Sequence, residues 1–246
     1  MKTLVPLLKM EMIGTKRGWR TFLLGIGMPV GFFLFFSGMY RFDNEEVKIR
    51  AVRAMMLSMT AFSAISFSFF TLPTSFQEDR RNNWREILRH SPLPSWQYFF
   101  VRCLRIGLSL LLSILTVFTC GALLRGVEMT AQEWLLAGLL LFLGGVTFMA
   151  LGLPLSHIQS AETLSVVGNI LYLGLAMLGG MWFPVSLFPA WMKKMAEVTP
   201  TYHLNNWVVT YVEKHELAWA SLGVLLLYAI ISVEIAAVIR RKLVEK

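Results

Sequence analysis

Six stretches of this chain run for about twenty residues with almost no charge, and polar segments separate them. The first is Thr21 to Tyr40, the second Ala54 to Gln77 with Ser and Thr interleaved among Phe, Met and Ile, and the third Ile106 to Leu124. The fourth runs from Trp134 to Pro154. The fifth starts at Thr163, and the sixth is Leu217 to Ile239, interrupted by Glu234 alone. A helix of about 20 apolar residues crosses a hydrocarbon core of about 30 Å, so the pattern predicts an all-α, polytopic membrane protein with six crossings. The fifth run stays uncharged to Met192, too long for one crossing. Gly179, Gly180, Pro184 and Pro189 divide it, because proline removes a helix donor and glycine favours turns, and the crossing is expected to end near Trp182.

Two segments are longer than a connection needs. Gln77 to Gln97 reads QEDRRNNWREILRHSPLPSWQ, dense in both charge signs, with Trp84, Ile87 and Leu88 at the spacing that shares one helical face and Pro92 and Pro94 to end it. Such a segment can dock a soluble protein or lie against lipid headgroups. Phe183 to Glu216 holds several prolines and an uncharged stretch too short to span; its aromatic residues, with Trp182, suit an interfacial belt. Short helices that dip into the bilayer, or lie upon it, are expected there, either gating an exit route or packing passively. Met1 to Arg20 mixes Leu, Val and Met with five bases, which suits an interfacial helix or a basic flank that only fixes orientation.

Composition agrees with this pattern. Hydrophobic residues make up 56% and charged ones 15%, where a soluble domain carries about 25% charged. The formal charge of +8 would suggest nucleic acid in a soluble protein. Here its distribution decides. Segments on the side of the N-terminus hold 15 Lys and Arg, and those opposite hold 8. Excess bases mark the cytoplasmic face, so both termini are expected in the cytoplasm and no nucleic-acid partner is expected. Arg102 and Arg105, at the mouth of the third run, are expected to lay their stems along apolar surface and send their charges to the interface.

Candidate chemistry is sparse. Cys103 and Cys120 lie in or beside one apolar run and indicate no disulfide framework. No phosphate loop, H-E-x-x-H or paired C-x-x-C occurs. His90, His157, His203 and His215 fall in polar connections; His157 could approach His90 and His203 could approach His215, without a carboxylate spacing that suggests a metal site. Glu234 is the acid within a crossing, a possible intramembrane polar site, but it lies within two turns of Arg240 and Arg241 and is expected to pair or snorkel.

On two local patterns the chain resembles the membrane-spanning permeases of type-2 ABC exporters, a family that includes bacterial drug-resistance, bacteriocin-immunity and polysaccharide export permeases. One is Glu78 to Pro94, EDRRNNWREILRHSPLP, similar to the family's charged segment that ends in Leu and Pro before the third crossing. The other, more specific, is Gly179 to Trp191, GGMWFPVSLFPAW, with TPTYHL from Thr199. This chain has Asn82, Asn83 and Trp84 where many members carry Gly-Thr. The resemblance implies one permease domain over 1–246: an interfacial elbow at 1–20, a coupling segment at 77–97 and an external re-entrant cap at 183–216. It implies a bacterial cell membrane, a second permease copy (identical or sister) and separate cytosolic ATPase subunits that hold ATP and Mg, so the chain itself is not an enzyme and binds no cofactor. Glu78, Asp79, Arg85, Glu86, Leu88 and Arg89 would touch the ATPase. Phe183, Pro184, Pro189, Trp191, Pro200 and Tyr202 would build the cap. A hydrophobic or amphipathic substrate, moved outward, fits the apolar crossings. Two competing readings are a non-transporting sensor or immunity protein that binds through its cap, and an intramembrane enzyme, for which no convergent polar constellation is visible.

Overall fold

The computed structural model describes residues 19–39, 44–84, 90 and 94–244. Nine α-helices are found among them: α1 Trp19–Met39, α2 Glu45–Ser66, α3 Leu72–Arg81, α4 Ser95–Arg125, α5 Ala131–Gly152, α6 Ala161–Leu178, α7 Ala190–Ala196, α8 Pro200–Lys214 and α9 Trp219–Val244. A π-turn at Phe67–Thr71 joins α2 to α3, and a 3-10 turn at Pro154–His157 follows α5. Five helical segments are long and apolar enough to cross a membrane: Glu45–Arg81, Trp96–Arg125, Ala131–His157, Ala161–Leu178 and Trp219–Lys242. The first expected crossing falls on α1, with a shorter apolar stretch at Gly25–Met39. The end of the bundle where α3 finishes and α4 begins is called the loop end below, and the end that carries 179–218 the cap end.

Several boundaries differ from those expected, each for a local reason. The second crossing starts at Glu45 rather than Ala54, because Asn44 Oδ1 accepts the Glu46 backbone N–H at 2.9 Å and Glu45 and Glu46 complement the helix N-terminus. The third starts at Ser95, so Arg102 and Arg105 lie within α4. At α5, Thr130 and Glu133 form a reciprocal capping box. The fifth ends at Leu178, before Trp182: Gly180 takes φ +74°, which lets the Met181 N–H reach the Ala176 carbonyl at 3.0 Å and close the helix.

Burial is uneven. In the apolar window of Glu45–Arg81, 83% of residues are buried, against 22% for α6 and 17% for α9. The α2 helix is therefore the axis of the bundle, with Phe62, Ile65, Met56 and Met59 at its centre. Its buried hydroxyls turn back on the helix: Ser58 and Thr60 meet the carbonyl four residues back at 2.9 and 2.7 Å and Ser63 the carbonyl three back at 2.7 Å, while Ser58 Oγ also lies 2.9 Å from Asn205 Oδ1 of α8. The π-turn answers to Pro73. A proline there has no N–H for the Phe69 carbonyl, and the chain widens just before it, with the Leu72 N–H bonded to the Phe67 carbonyl five residues back.

Candidate functional site

The loop end is held by a polar junction at the last turns of α3. Asp79 Oδ2 pairs with Arg102 Nη1 at 2.5 Å, and the Tyr98 hydroxyl donates to Asp79 Oδ1 at 2.7 Å. Arg102 Nη1 also donates to the Ser75 carbonyl at 2.9 Å, and Arg105 Nη2 to Ser75 Oγ at 2.8 Å. The guanidinium lies 4.8 Å from the centre of the Tyr98 ring, within cation–π range. Arg102 is only 6% exposed. The interface-seeking arginine expected at this position instead turns inward, because α3 and α4 run side by side and bring a carboxylate to its reach.

The same end of α3 grips the connection between α5 and α6. Arg80 Nη1 and Nη2 donate to the Ser156 and Ile158 carbonyls at 2.6 and 3.0 Å, and Gln77 Nε2 to the Ile158 and Ser160 carbonyls at 3.0 and 3.2 Å. The Ser156 carbonyl lies in the 3-10 turn and the Ile158 carbonyl just beyond it, while the Ser160 carbonyl also accepts the Leu164 N–H at 3.0 Å. Three elements thus converge on one helical turn. Replacing Arg80 with Ala should loosen residues 156–160 by about 1–3 kcal/mol, the usual net for hydrogen bonds to a charged group; amide exchange there should quicken relative to α5, and an unchanged rate would dismiss the latch.

Of the residues expected to contact an ATPase, Glu78 is exposed at the surface of α3, whereas Asp79 faces the junction. Arg85, Glu86, Leu88 and Arg89 lie outside the described residues, as does nearly all of the 1–20 segment. Asn83 takes φ 49°, which asparagine tolerates, and ends the helical run. Trp84 rests 5.9 Å from the Tyr98 ring, so the start of the expected apolar stripe leans on the junction. His157 Nδ1 lies 3.2 Å from the Leu153 carbonyl, within its own turn. His90 is exposed.

At the cap end, α7 and α8 form a hairpin that dips among the other helices. His215 faces Glu133 at 3.8 Å near the start of α5, and eleven residues inward along each helix Leu204 lies against Gly144. At about 1.5 Å per residue this places Leu204 roughly 16 Å inward. The tip at Val198 accepts a 2.7 Å hydrogen bond from the Tyr228 hydroxyl. Thr199 caps α8 by accepting the Tyr202 N–H at 3.2 Å, Pro200 is buried in its first turn, and Thr201 Oγ1 donates to the Leu175 carbonyl at 2.7 Å. Phe183, Pro184, Pro189 and Trp191 are exposed, while Trp182 turns inward, edge-on to Phe32 and Phe62. His203 bonds the Glu197 carbonyl at 2.8 Å and is turned away from His215, twelve residues on. Sequence reasoning counted Lys193, Lys194 and Glu197 with an outside segment; the hairpin carries them to its inward end. Glu234, on α9, is exposed.

Among the described residues the chain is a helical bundle with five apolar helices of membrane length, a helical hairpin packed at one end and a polar junction at the other, an arrangement that fits a membrane permease. Comparison with known proteins agrees: the sequence profile of the ABC-2 type transporter family matches residues 4–212, and the chain belongs to that family. It is similar to YvfS of Bacillus subtilis (strain 168), a protein named as a transport permease, with 28% identity over 215 residues that cover 87% of either chain.

Proposed function

We propose that this chain is the membrane-spanning half of an ATP-driven exporter, set in the cell membrane with both termini in the cytoplasm. The observation that carries the reading is the family match over residues 4–212. The excess of bases on the N-terminal side supports the orientation, which makes the loop end cytoplasmic and the cap end external. Two copies, or one copy and a sister permease, would surround the path. Separate ATPase subunits would bind ATP and Mg and press on the 77–97 segment, with Glu78, Arg85, Glu86, Leu88 and Arg89 as contacts. Residues 1–20 serve as the elbow and 183–216 as the cap of a single permease domain. A hydrophobic or amphipathic substrate is favoured by the apolar helices.

The Asp79–Arg102 clasp gives this reading a physical route. A push on the 82–94 segment would reach α3 and α4 together through that clasp, and the bonds of Arg80 and Gln77 would pass it to the α5–α6 connection. Coupling requires contacts that differ in energy between two states, and a rigid root lets such a difference travel. Reversing charge at both Arg85 and Glu86 should weaken co-purification with an ABC ATPase encoded beside this chain and lower vanadate-sensitive ATPase activity of the pair, while membrane insertion persists. Retained binding and activity would reject the coupling assignment.

A further inference from the structure

A groove of about 670 Å³ opens beneath the re-entrant hairpin, within the range of about 300–1,000 Å³ that suits small amphiphiles. Its walls are Leu171, Leu175 and Leu178 of α6 and Tyr228 and Ser232 of α9. The hairpin roofs it with Met195, Val198 and Lys194. Leu171 and Val198 are 37% and 64% exposed, and α6 and α9 are the least buried membrane-length helices described, so the groove is reached from the side.

On the membrane placement proposed above, the groove lies within the bilayer. Asn206 donates to Ser221 Oγ near the start of α9, and Tyr228 meets Val198 further along, which fixes the register of hairpin against helix. Tyr228 lies nine residues beyond Trp219, about 13 Å at 1.5 Å per residue. Trp219 is 67% exposed at the head of α9, where an interfacial belt is expected. The roof is therefore below the headgroup level of the cap-end leaflet, and Lys194 stands one helical turn before the tip.

Lys194, itself exposed at the rim, brings the one charged side chain to a lining that is otherwise apolar or hydroxyl-bearing. It has no hydrogen-bond or ion-pair partner among the described residues. Two of the lining hydroxyls are committed: Thr199 donates to the Ala196 carbonyl and Tyr228 to the Val198 carbonyl. Glu234, two residues beyond Ser232, is not part of the lining. An ammonium at this depth requires an anion or a route to water, and its stem is long enough to reach toward the headgroups.

We propose that this groove binds an anionic phospholipid of the surrounding bilayer, with an acyl chain along α6 and α9 and its phosphate on the Lys194 ammonium. The chain fills leucine-walled space, and the phosphate supplies the missing charge through a charge-assisted hydrogen bond.

The test uses the full chain in nanodiscs of phosphatidylcholine with a minor fraction of phosphatidylglycerol that carries a diazirine on one acyl chain. Photoadducts should concentrate on residues 171–178 and 228–232. Lys194→Gln should lower them about three- to tenfold, the scale of a typical net hydrogen bond, and Lys194→Arg should keep them. The same diazirine on phosphatidylcholine should label weakly and ignore Lys194→Gln. Equal labelling by the two lipids, an undiminished yield in Lys194→Gln, or adducts spread evenly over all lipid-facing helices would overturn the proposal. If Lys194→Gln does not fold, Leu171→Trp, which fills the groove, decides: unchanged labelling at 228–232 overturns it. So does a Lys194 crosslink to a second copy in place of lipid adducts.

Discussion

Replacing Arg102 with Met should destabilise the purified protein by about 3–5 kcal/mol, because it strands the Asp79 carboxylate in a place that water hardly reaches. The pair's side chains are 8% and 15% exposed, so solvent screens them little. Asp79→Leu should cost a similar amount, since the guanidinium then keeps only the Ser75 carbonyl and the Tyr98 ring of the partners given above. In a chain of this length such losses lower the thermal midpoint by roughly 6–20 °C. The double replacement is the informative one. With both charges gone, two apolar side chains share the site and the loss should be clearly smaller than the sum of the singles. Thermal unfolding in detergent, followed by tryptophan fluorescence, measures all three. Single variants within about 1 kcal/mol of the parent, or strictly additive ones, would show that the clasp is solvated and passes no force.

The second large effect is steric. A Cβ on Gly152 would lie 2.0 Å from the Ser68 carbonyl oxygen, in the π-turn, and 3.0 Å from its carbon. These are backbone atoms and cannot rotate away. Gly152→Ala should therefore push α5 off the π-turn and cost about 1–3 kcal/mol or more, as overpacking does, against a gain of about 0.5–1 kcal/mol from helix propensity. Gly223→Ala is the control, because a Cβ there meets nothing within 4 Å and only the propensity gain remains. A Gly152→Ala protein as stable as the Gly223→Ala one would mean that the close approach of α5 to residue 68 does not persist in the membrane.

Much of the fold was legible because its dominant force leaves a linear trace. An uncharged run of about twenty residues has few options besides a membrane-length helix, and the fourth, fifth and sixth runs fall on α5, α6 and α9 to within a few residues. The second and third crossings outgrow their runs for a reason that hydropathy does not register. Asn44 caps α2 nine residues early, and α4 continues through Arg102 and Arg105, which find partners on α3. The sequence marked Arg102 and Asp79 as polar but not as mutual: they stand 23 residues apart, as Arg105 and Ser75 stand 30 apart, and only the side-by-side course of α3 and α4 makes them neighbours. The Arg80 latch was equally hidden, because its acceptors are main-chain carbonyls of residues 156 and 158, which carry no residue-type signal. At the cap end, the prolines and glycines announced a broken segment, and Gly180 and Pro200 play the parts their chemistry suggests. Its depth was not readable, since Lys193, Lys194 and Glu197 look like an outside loop until Leu204 is seen against Gly144.

The uneven burial of the helices bears on how such a protein can diversify. An exchange on α2 disturbs packing on nearly every side, whereas α6 and α9 present most of their surface outward and can drift with little harm to the protomer's own core. Variation in lineages of this chain should therefore collect on α6 and α9, where it retunes neighbours, lipid or polypeptide, and gene duplicates can acquire new companions while inheriting the same interior.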